Sequence, residues 1–202
     1  MLYPVFLKLD GRSVVVVGGG AVAASKIDGL VAAGARITVV APTFDPAIRS
    51  RVVRIIEREF VADDLDGAHW VVAAATPEVN RAVAAAADRR GLFVNAVDDA
   101  TSASAYLGGV IRRGAVEIAI STGGAAPALA GLLREALDTV LPRDLERWVA
   151  VAIAARVKWK SAQVPIAERR PLLLRALDAL YASEPTGEQV PLGCPSEPGA
   201  AS

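Results

Sequence analysis

The stretch Ser13–Lys26, SVVVVGGGAVAASK, decides the fold of this chain. Its four consecutive valines predict a strand that is buried on both faces, as strands inside parallel sheets are. Gly18, Gly19 and Gly20 follow the strand at once, and a run of small residues then opens a predicted helix. Strand, glycine turn and helix together match the pattern G-x-G-x-x-G/A of dinucleotide-binding units, with Ala23 in the last position.

Each position of this pattern has a physical reason. The first glycine allows a tight turn, the second lets the backbone approach a pyrophosphate, and a small third residue lets the helix pack close to the strand. The amino terminus of the helix then offers free N–H groups and the positive end of its dipole to the phosphates. A glycine turn after a buried strand can also be plain architecture, so the pattern alone leaves that alternative open.

Composition narrows the class of protein. The 202 residues are 53% hydrophobic, which is typical of a folded chain, and 22 basic residues balance 22 acidic ones. The resulting net charge of zero argues against a general nucleic-acid binder. One cysteine, Cys194, and one histidine, His69, exclude a disulfide within the chain and a cluster of Cys or His metal ligands. With no basic and apolar leader and no run of about 18 apolar residues, we expect a cytoplasmic protein without a membrane partner.

Alternating strands and helices predict an α/β fold, a Rossmann-type parallel sheet with helices on both faces. After the first strand and helix, the hydrophobic pattern predicts strands at Arg36–Ala41, Val52–Ile56, Trp70–Ala74 and Leu92–Asn95. A helix is expected from Pro77 to about Arg90, with Thr76 as its N-cap. Ligands of such sheets bind at the carboxyl ends of the strands, so the glycine turn, Thr76 and Asp98 should share one rim.

The end of the second predicted strand departs from the usual NAD site. Ala41, Pro42 and Thr43 stand where an acid usually binds the ribose hydroxyls. No acid is present there, and no arginine follows immediately for a 2′-phosphate. Backbone groups and the Thr43 hydroxyl would have to hold the adenosine end of a dinucleotide. The alternative is that no dinucleotide binds at all.

The pattern changes after residue 105. Two strands near Tyr106–Arg112 and Val116–Ser121 predict a hairpin, and a second glycine turn then opens another helix. The apolar face of this helix is expected at Leu129, Leu132, Leu133, Ala136 and Leu137. Two further helices are expected near Arg143–Lys160 and Pro165–Tyr181. We therefore expect a Rossmann domain at 1–105, a small α+β domain (hairpin plus helix) at 106–142, a helical domain at 143–182 and a disordered tail at 183–202.

Three further groups of residues could carry chemistry. Asp98 and Asp99 follow the fifth strand, where a desolvated carboxylate could act as general base, although an Asp turn or cap is the commoner role. Ser121–Gly124 combines hydroxyls with glycine amides before a helix, which suits either an anion cradle or an ordinary N-cap. Residues 143–175 carry a net charge of +5, typical of either a solvated surface or a wall that faces a polyanion.

Three segments in this order resemble the amino-terminal module of siroheme synthases. They are PVFLKLDGRSVVVVGGGAVAASKIDGLVAAGARITVVAP at 4–42, FVNAVDD at 93–99 and IAISTGGAAPALAGLLREALDTVLP at 118–142. The likeness covers about residues 3–175, and three ordered motifs are far more specific than the glycine pattern alone. The family contains precorrin-2 dehydrogenases, many of which are also sirohydrochlorin ferrochelatases.

The resemblance implies an activity, cofactors and partners. Precorrin-2 would be oxidised to sirohydrochlorin with NAD⁺ as hydride acceptor, and a bifunctional member would then insert Fe²⁺, a substrate of the chelatase rather than a bound cofactor. Both tetrapyrroles carry many carboxylates, which suits the basic segment 143–175. Family members are homodimers, so residues 106–142 are the expected dimerisation domain. Neither a bound metal nor a nucleic-acid partner is implied.

The same resemblance implies the site residues. The aspartate of the family's N-x-V-D segment, the expected acid/base residue, is here Asp98. The cofactor-binding positions correspond to Gly18, Gly19, Gly20, Ala21, Val22, Pro42, Thr43 and Thr76. The substrate-binding positions correspond to Asn95, Ser121, Thr122, Gly123 and Gly124.

The sequence also departs from the family in places. The segment A-A-T-D/N-D is shortened to Ala74-Ala75-Thr76-Pro77, so this loop should differ. Thr122 occupies the position at which some members of the family are phosphorylated on a hydroxyl side chain. The methyltransferase domain of fused synthases is missing from the sequence, which favours a stand-alone form. The alternatives are a dehydrogenase without chelatase activity and, in another class, an NAD(H)-sensing regulatory module.

Overall fold

A sheet of five strands organises the computed structural model, which describes residues 2–51, 54–97, 99 and 101–182. The strands are β1 Ser13–Val17, β2 Arg36–Ala41, β3 Arg54–Glu57, β4 Trp70–Ala73 and β5 Val94–Ala96. They lie in the order β3-β2-β1-β4-β5, and every neighbouring pair is parallel. The predicted Rossmann-type sheet is therefore confirmed, and its strand order reverses between β1 and β4, where open α/β sheets bind ligands.

Helices connect the strands and continue beyond the sheet. In chain order they are α1 Ala21–Ala32, α2 Pro46–Arg49, α3 Pro77–Asp88, α4 Pro127–Val140, α5 Leu145–Ser161 and α6 Ile166–Ala182. A short 3₁₀ helix, Ala62–Leu65, precedes β4, and a two-stranded sheet pairs β6 (Gly109–Arg113) with β7 (Val116–Ile120). In the part of the chain that the structure describes, no helix is both long and apolar enough to traverse a bilayer.

The valines of β1 alternate between two hydrophobic cores. Val14 and Val16 pack with Ile27 of α1 on one face of the sheet. Val15 and Val17 belong to the core on the other face, which includes Val83 of α3. Successive side chains of a strand point to opposite faces, so an uninterrupted apolar run is what a sheet covered on both sides requires.

The described residues form two compact units. The first contains residues 2–110 and 119–136, and the second contains residues 111–118 and 137–182. This division passes through the β6-β7 hairpin and through α4. The domain bounds expected at 105 and 142 therefore stay predictions.

Some sequence expectations differ from the structure at the level of single residues. The spacing of Ala23, Ile27, Leu30 and Val31 predicts one apolar stripe on α1. Val31 is nevertheless 47% exposed, and Leu30 is the residue of the last turn that packs in the core. β5 begins at Val94 rather than Leu92, because the Leu92 N–H donates to the Ala87 carbonyl at the end of α3. The start of the predicted third strand, residues 52 and 53, lies outside the described residues.

The apolar face expected on α4 is present but uncovered in a single chain. Its four leucines are between 41% and 64% exposed, namely Leu129, Leu132, Leu133 and Leu137. Ala130 is the buried residue of this helix. An uncovered stripe of this kind marks a surface that is available to another apolar surface.

We expect Ile27→Ala to lower the free energy of unfolding by about 2–5 kcal/mol, since Ile27 is fully buried against β1. Val31→Ala is the matched control on the same helix, and its exposed side chain should contribute less than about 0.5 kcal/mol. Urea unfolding of both variants measures the difference. Equal losses would contradict the assignment of the core face of α1.

Candidate functional site

The glycine turn after β1 lies in close contact with the loop after β4. Gly18 has a φ of 123°, a conformation that L side chains rarely adopt. A Cβ atom on Gly18 would overlap the carbonyl oxygen of Ala74. The Gly18 N–H donates to the Val40 carbonyl at 2.9 Å, which extends the pairing of β1 with β2. Any larger residue at Gly18 would push the loop after β4 away from the turn.

Gly19 makes the equivalent contact with the loop after β2. A Cβ atom there would overlap the carbonyl oxygen of Thr43, whereas a Cβ on Gly20 would meet nothing within 4 Å. The Gly19 carbonyl also accepts a hydrogen bond of 2.7 Å from the N–H of Asp45. The turn is therefore closed on the side of Gly18 and Gly19 and open at Gly20.

The open side of the turn leads to the amino terminus of α1. Gly20 is the N-cap residue of this helix, and no described side chain caps it; its first turn carries no acidic residue. The first N–H groups of a helix have no acceptor within the helix, and together with the dipole they favour an anion. This geometry suits a pyrophosphate, and the cofactor candidates around it are exposed, namely Gly20, Ala21, Val22, Pro42, Thr43 and Thr76.

Asp45 is a neighbour of the turn that the sequence reasoning did not single out. It is the first acidic residue after β2. Its Oδ1 accepts from the N–H of Ala47 at 2.9 Å, so the carboxylate caps α2 while its backbone N–H binds Gly19. The dipeptide Asp45-Pro46, an N-cap followed by proline, is a sequence signal for this short helix. The carboxylate thus has a structural task beside the turn.

Thr76 caps α3, as the sequence predicts. Its Oγ1 accepts from the N–H of Val79 at 3.5 Å. The pKa of the nearby Glu78 carboxyl is lowered, first by a hydrogen bond from its own backbone N–H and then by one from the Thr76 hydroxyl. Thr76 follows Ala74 and Ala75, the residues that lie against Gly18. The structure therefore brings this predicted cofactor residue to the same rim as the glycine turn.

Asn80 is a second residue that the sequence reasoning missed. It is 3% exposed, its Oδ1 accepts from the Ala75 N–H at 2.9 Å, and its Nδ2 donates to the Val97 carbonyl at 3.4 Å. The side chain thus joins the loop after β4 to the residue after β5. A polar residue on the otherwise apolar inner face of the predicted helix was the available signal.

Asn95, a predicted substrate residue, is also buried, with 7% exposure. Its Nδ2 donates to the Ala105 carbonyl at 3.0 Å. At least part of its amide is therefore engaged in holding the chain segment beside β5. Its contact with a substrate stays a prediction.

Of the two aspartates after β5, the structure describes Asp99 but not Asp98. Asp98, the predicted acid/base residue, lies outside the described residues. Asp99 is engaged in a turn, because its Oδ1 accepts from the N–H groups of Thr101 and Ser102 and from the Thr101 hydroxyl at 2.7–3.1 Å. Hydrogen bonds, first from the Ser102 hydroxyl and then from the Thr101 hydroxyl, lower the pKa of the Asp99 carboxyl to about 2. Asp99 is therefore a turn residue, ionised at neutral pH.

The second glycine turn uses its hydroxyls locally. Ser121 Oγ accepts from the Gly123 N–H and Thr122 Oγ1 accepts from the Ala126 N–H, both at 3.1 Å. Gly123 and Gly124 have positive φ values of 65° and 81°. The observed bonds are those of a capped turn before α4, and the anion cradle at Ser121–Gly124 stays a prediction.

A depression of about 530 Å³ lies away from the glycine turn. It is bordered by α3, the start of β5 and the loop after β5, among them Arg81, Asp88, Phe93, Thr101 and Ser104. None of the predicted site residues in the described ranges lines it. The depression and the glycine turn are therefore two separate candidate sites on the first unit.

Comparison with known families identifies the class of the first domain. Residues 5–109 match the family described as putative NAD(P)-binding, more than half of the chain. Residues 113–138 match the family described as the central part of sirohaem biosynthesis proteins. The first unit thus contains a Rossmann domain of the NAD(P)-binding class.

Named relatives are siroheme synthases. Siroheme synthase 1 of Aeromonas salmonicida is 41% identical over 182 residues, which cover 87% of this chain and 39% of that protein. Siroheme synthase 2 of Aeromonas hydrophila is 42% identical over 177 residues, which cover 86% of this chain and 37% of that protein. The chain spans about two fifths of the length of these relatives.

A solved structure extends the likeness to the fold. SirC, a precorrin-2 dehydrogenase, superposes with a TM-score of 0.69 at 29% identity, over 89% of this chain and 92% of that one. These matches agree with the resemblance carried by the three sequence motifs. The chain belongs to the family of siroheme synthase amino-terminal modules.

We expect Gly18→Ala to lower the free energy of unfolding by at least about 2 kcal/mol, since the new Cβ meets both an unfavourable φ and the Ala74 carbonyl. Gly20→Ala, in the same turn, finds open space and should cost less than about 1 kcal/mol. Chemical denaturation of both variants tests this. A Gly20 variant as unstable as the Gly18 variant would show that the open side is closed.

The Asp99 turn should be visible in the pH dependence of stability. A carboxyl whose pKa is lowered from 3.8 to about 2 stabilises the folded chain above pH 3.8 and loses this effect as the pH falls through 2. The melting temperature of the unaltered chain should exceed that of Asp99→Asn at pH 6, and the gap should close between pH 4 and pH 2. A gap that stays constant over this range would refute the assigned pKa.

Proposed function

We propose that this chain oxidises precorrin-2 to sirohydrochlorin, with NAD⁺ as the hydride acceptor. The observation that carries the proposal is the open glycine turn at the switch point of a sheet whose fold is shared with SirC, a precorrin-2 dehydrogenase. The siroheme synthase relatives support the same pathway. We place the proposed oxidation in the cytoplasm, where NAD⁺ and tetrapyrrole precursors are both available.

The proposed cofactor contacts follow from the shape of the turn. The amides of Gly20, Ala21 and Val22 bind the pyrophosphate at the amino terminus of α1, while the closed side at Gly18 and Gly19 fixes the turn. Pro42 and Thr43 bound the adenosine end. No arginine stands there for a 2′-phosphate, which favours NAD⁺ over its phosphorylated form. Thr76 borders the other side of the cofactor.

The proposed chemistry needs one proton acceptor. Oxidation of the macrocycle removes a hydride and a proton, and bound NAD⁺ supplies the acceptor for the hydride. Asp98 takes the proton in this proposal. Its neighbour Asp99 is unsuited to the task, because its carboxylate is held by Thr101 and Ser102 and its pKa is lowered to about 2.

The proposed substrate contacts are Asn95 and the segment Ser121–Gly124. In the observed bonds the Ser121 and Thr122 hydroxyls accept through their oxygens, so their O–H groups can still donate to a substrate carboxylate. The Gly123 N–H already donates to Ser121 Oγ, so binding a carboxylate with the amides of Gly123 and Gly124 would require that bond to open. The buried Asn95 contributes whatever hydrogen-bonding capacity the Ala105 carbonyl leaves free.

Metal insertion is the second part of the proposal. Fe²⁺ enters as a substrate and displaces the pyrrole protons of sirohydrochlorin, for which Asp98 is again the proposed acceptor. The alternative within the same family is a dehydrogenase alone. An assay of sirohydrochlorin with Fe²⁺ or Co²⁺ separates the two, because metal insertion changes the visible spectrum without NAD⁺.

The proposed assembly is a homodimer. The exposed leucines of α4 are joined at its carboxyl end by Val140, which is 80% exposed. A second copy of the chain would bury such a stripe, and burial of apolar surface stabilises association by roughly 25 cal/mol per Å² before the cost of association is subtracted. The stripe supports residues 106–142 as the dimerisation domain.

The test is Asp98→Asn in the full chain, assayed with precorrin-2 and NAD⁺ by the formation of NADH. We expect kcat to fall by about 10²–10⁴, because a proton acceptor is lost while the shape is kept. The dissociation constant for NAD⁺ should not change. Asp99→Asn is the matched control, and it should leave kcat close to that of the unaltered chain at neutral pH.

Two outcomes would count against the proposal. Unchanged oxidation in the Asp98 variant would remove this residue from the mechanism. An unaltered chain that binds NADH but neither binds nor oxidises a tetrapyrrole would favour the sensing module over the enzyme.

A further inference from the structure

Asn80 is a polar side chain in an apolar setting. It occupies the fourth position of α3, and the helix places Val83, Ala86 and Ala87 on the same buried side. Asn80 itself is 3% exposed. An amide that is removed from water is costly unless its donor and acceptor groups are paired, so its presence requires specific partners.

Both partners are backbone groups at the carboxyl rim of the sheet. The Ala75 N–H can only donate, so the amide oxygen of Asn80 must face it, at 2.9 Å. The Val97 carbonyl can only accept, so the NH₂ group must face it, at 3.4 Å. The orientation of the amide is therefore fixed by its partners.

These two partners lie beside the glycine turn and at the end of β5, respectively. The nitrogen of Ala75 and the carbonyl of Ala74 are the atoms that lie against Gly18 in the glycine turn. The Val97 N–H also donates to the Ala73 carbonyl at 2.9 Å, which pairs the ends of β4 and β5. The Val97 carbonyl belongs to the peptide bond that joins this residue to Asp98.

We infer that Asn80 is a positioning residue for the oxidation: by bridging Ala75 and Val97 it holds the start of the segment that carries Asp98 in register with the cofactor turn. The inference rests on the proposed function and adds a residue to it. Asn80 touches neither substrate nor cofactor in this account and acts only through the backbone. A proton acceptor displaced by about 1 Å reacts far more slowly, which is why such a bridge affects the reaction.

Asparagine meets both demands at this position, and two residues of similar size do not. Aspartate keeps an acceptor for Ala75 but turns a second oxygen towards the Val97 carbonyl, so one of the two bonds is lost. Leucine has nearly the same shape and loses both bonds. The two substitutions therefore separate the contact with the cofactor loop from the contact with the segment that precedes Asp98.

The test uses Asn80→Asp and Asn80→Leu in the full chain, with kcat measured at saturating precorrin-2 and the dissociation constant of NAD⁺ measured separately. For Asn80→Asp we expect kcat to fall by about 10-fold to 100-fold with little change in NAD⁺ affinity. For Asn80→Leu we expect a similar fall in kcat together with weaker NAD⁺ binding, because the loop against Gly18 is released as well.

Val83→Ala is the matched control. Val83 lies on the same buried side of α3 and packs in the apolar core, so its truncation weakens the packing of this helix without removing a hydrogen bond to Ala75 or Val97. Its kcat should stay close to that of the unaltered chain. Equal losses of kcat in Asn80→Asp and Val83→Ala, or an unchanged kcat in Asn80→Asp, would overturn the inference.

A readout without substrate keeps the inference separate from the proposed function. Hydrogen exchange of the Val97 amide, followed by NMR, should be faster in Asn80→Asp and unchanged in Val83→Ala. An unaltered chain that fails to oxidise precorrin-2 would overturn the proposed function alone. Exchange at Val97 that is the same in all variants would show that Asn80 does not hold this segment, whatever the reaction is.

Discussion

The contact of Gly18 and Gly19 with the carbonyl groups of Ala74 and Thr43 is the constraint on which the rest of the structure depends. It lets the loops after β2 and β4 close around the end of β1 with no side chain between them. Because the contacts use the inner sides of the first two glycines, the side of Gly20 stays open and the amino terminus of α1 stays accessible. The same backbone approach that shapes the turn therefore also creates the place for an anion.

Hydrogen bonds to backbone groups transmit this arrangement along the rim. Asp45 binds the Gly19 carbonyl from the side of β2, and Asn80 joins the side of β4 to the residue that precedes Asp98. Asn80 and Asn95, the buried polar side chains among the described residues, both bind backbone groups, as the cost of an unpaired buried group demands. These bonds join the glycine turn, the loop after β4 and Val97, the residue that precedes the proposed proton acceptor in the chain.

The sequence predicts secondary structure well where it depends on hydrophobic periodicity and on turn or cap residues close together in the chain. Four valines before three glycines predict β1, the turn and α1, and Thr76-Pro77 predicts the start of α3. The prediction for Val31 was wrong, because periodicity indicates the apolar side of a helix but does not decide which of two adjacent residues, Leu30 or Val31, packs in the core. The partners of Asn80 lie 5 and 17 residues away on different loops, so these hydrogen bonds cannot be predicted from the sequence pattern without the fold. Residue chemistry points to Asp98 and Asp99 together, and the family resemblance alone selects Asp98, which lies outside the described residues.

The central claim is that the cofactor occupies the open side of the glycine turn, beside the ends of β4 and β5. Hydrogen–deuterium exchange of the full chain with and without NAD⁺ tests it most directly. The account predicts protection of amides in residues 18–24 and 74–76 when NAD⁺ binds. Protection confined to the depression bordered by Arg81 and Thr101, with the glycine turn unchanged, would contradict it.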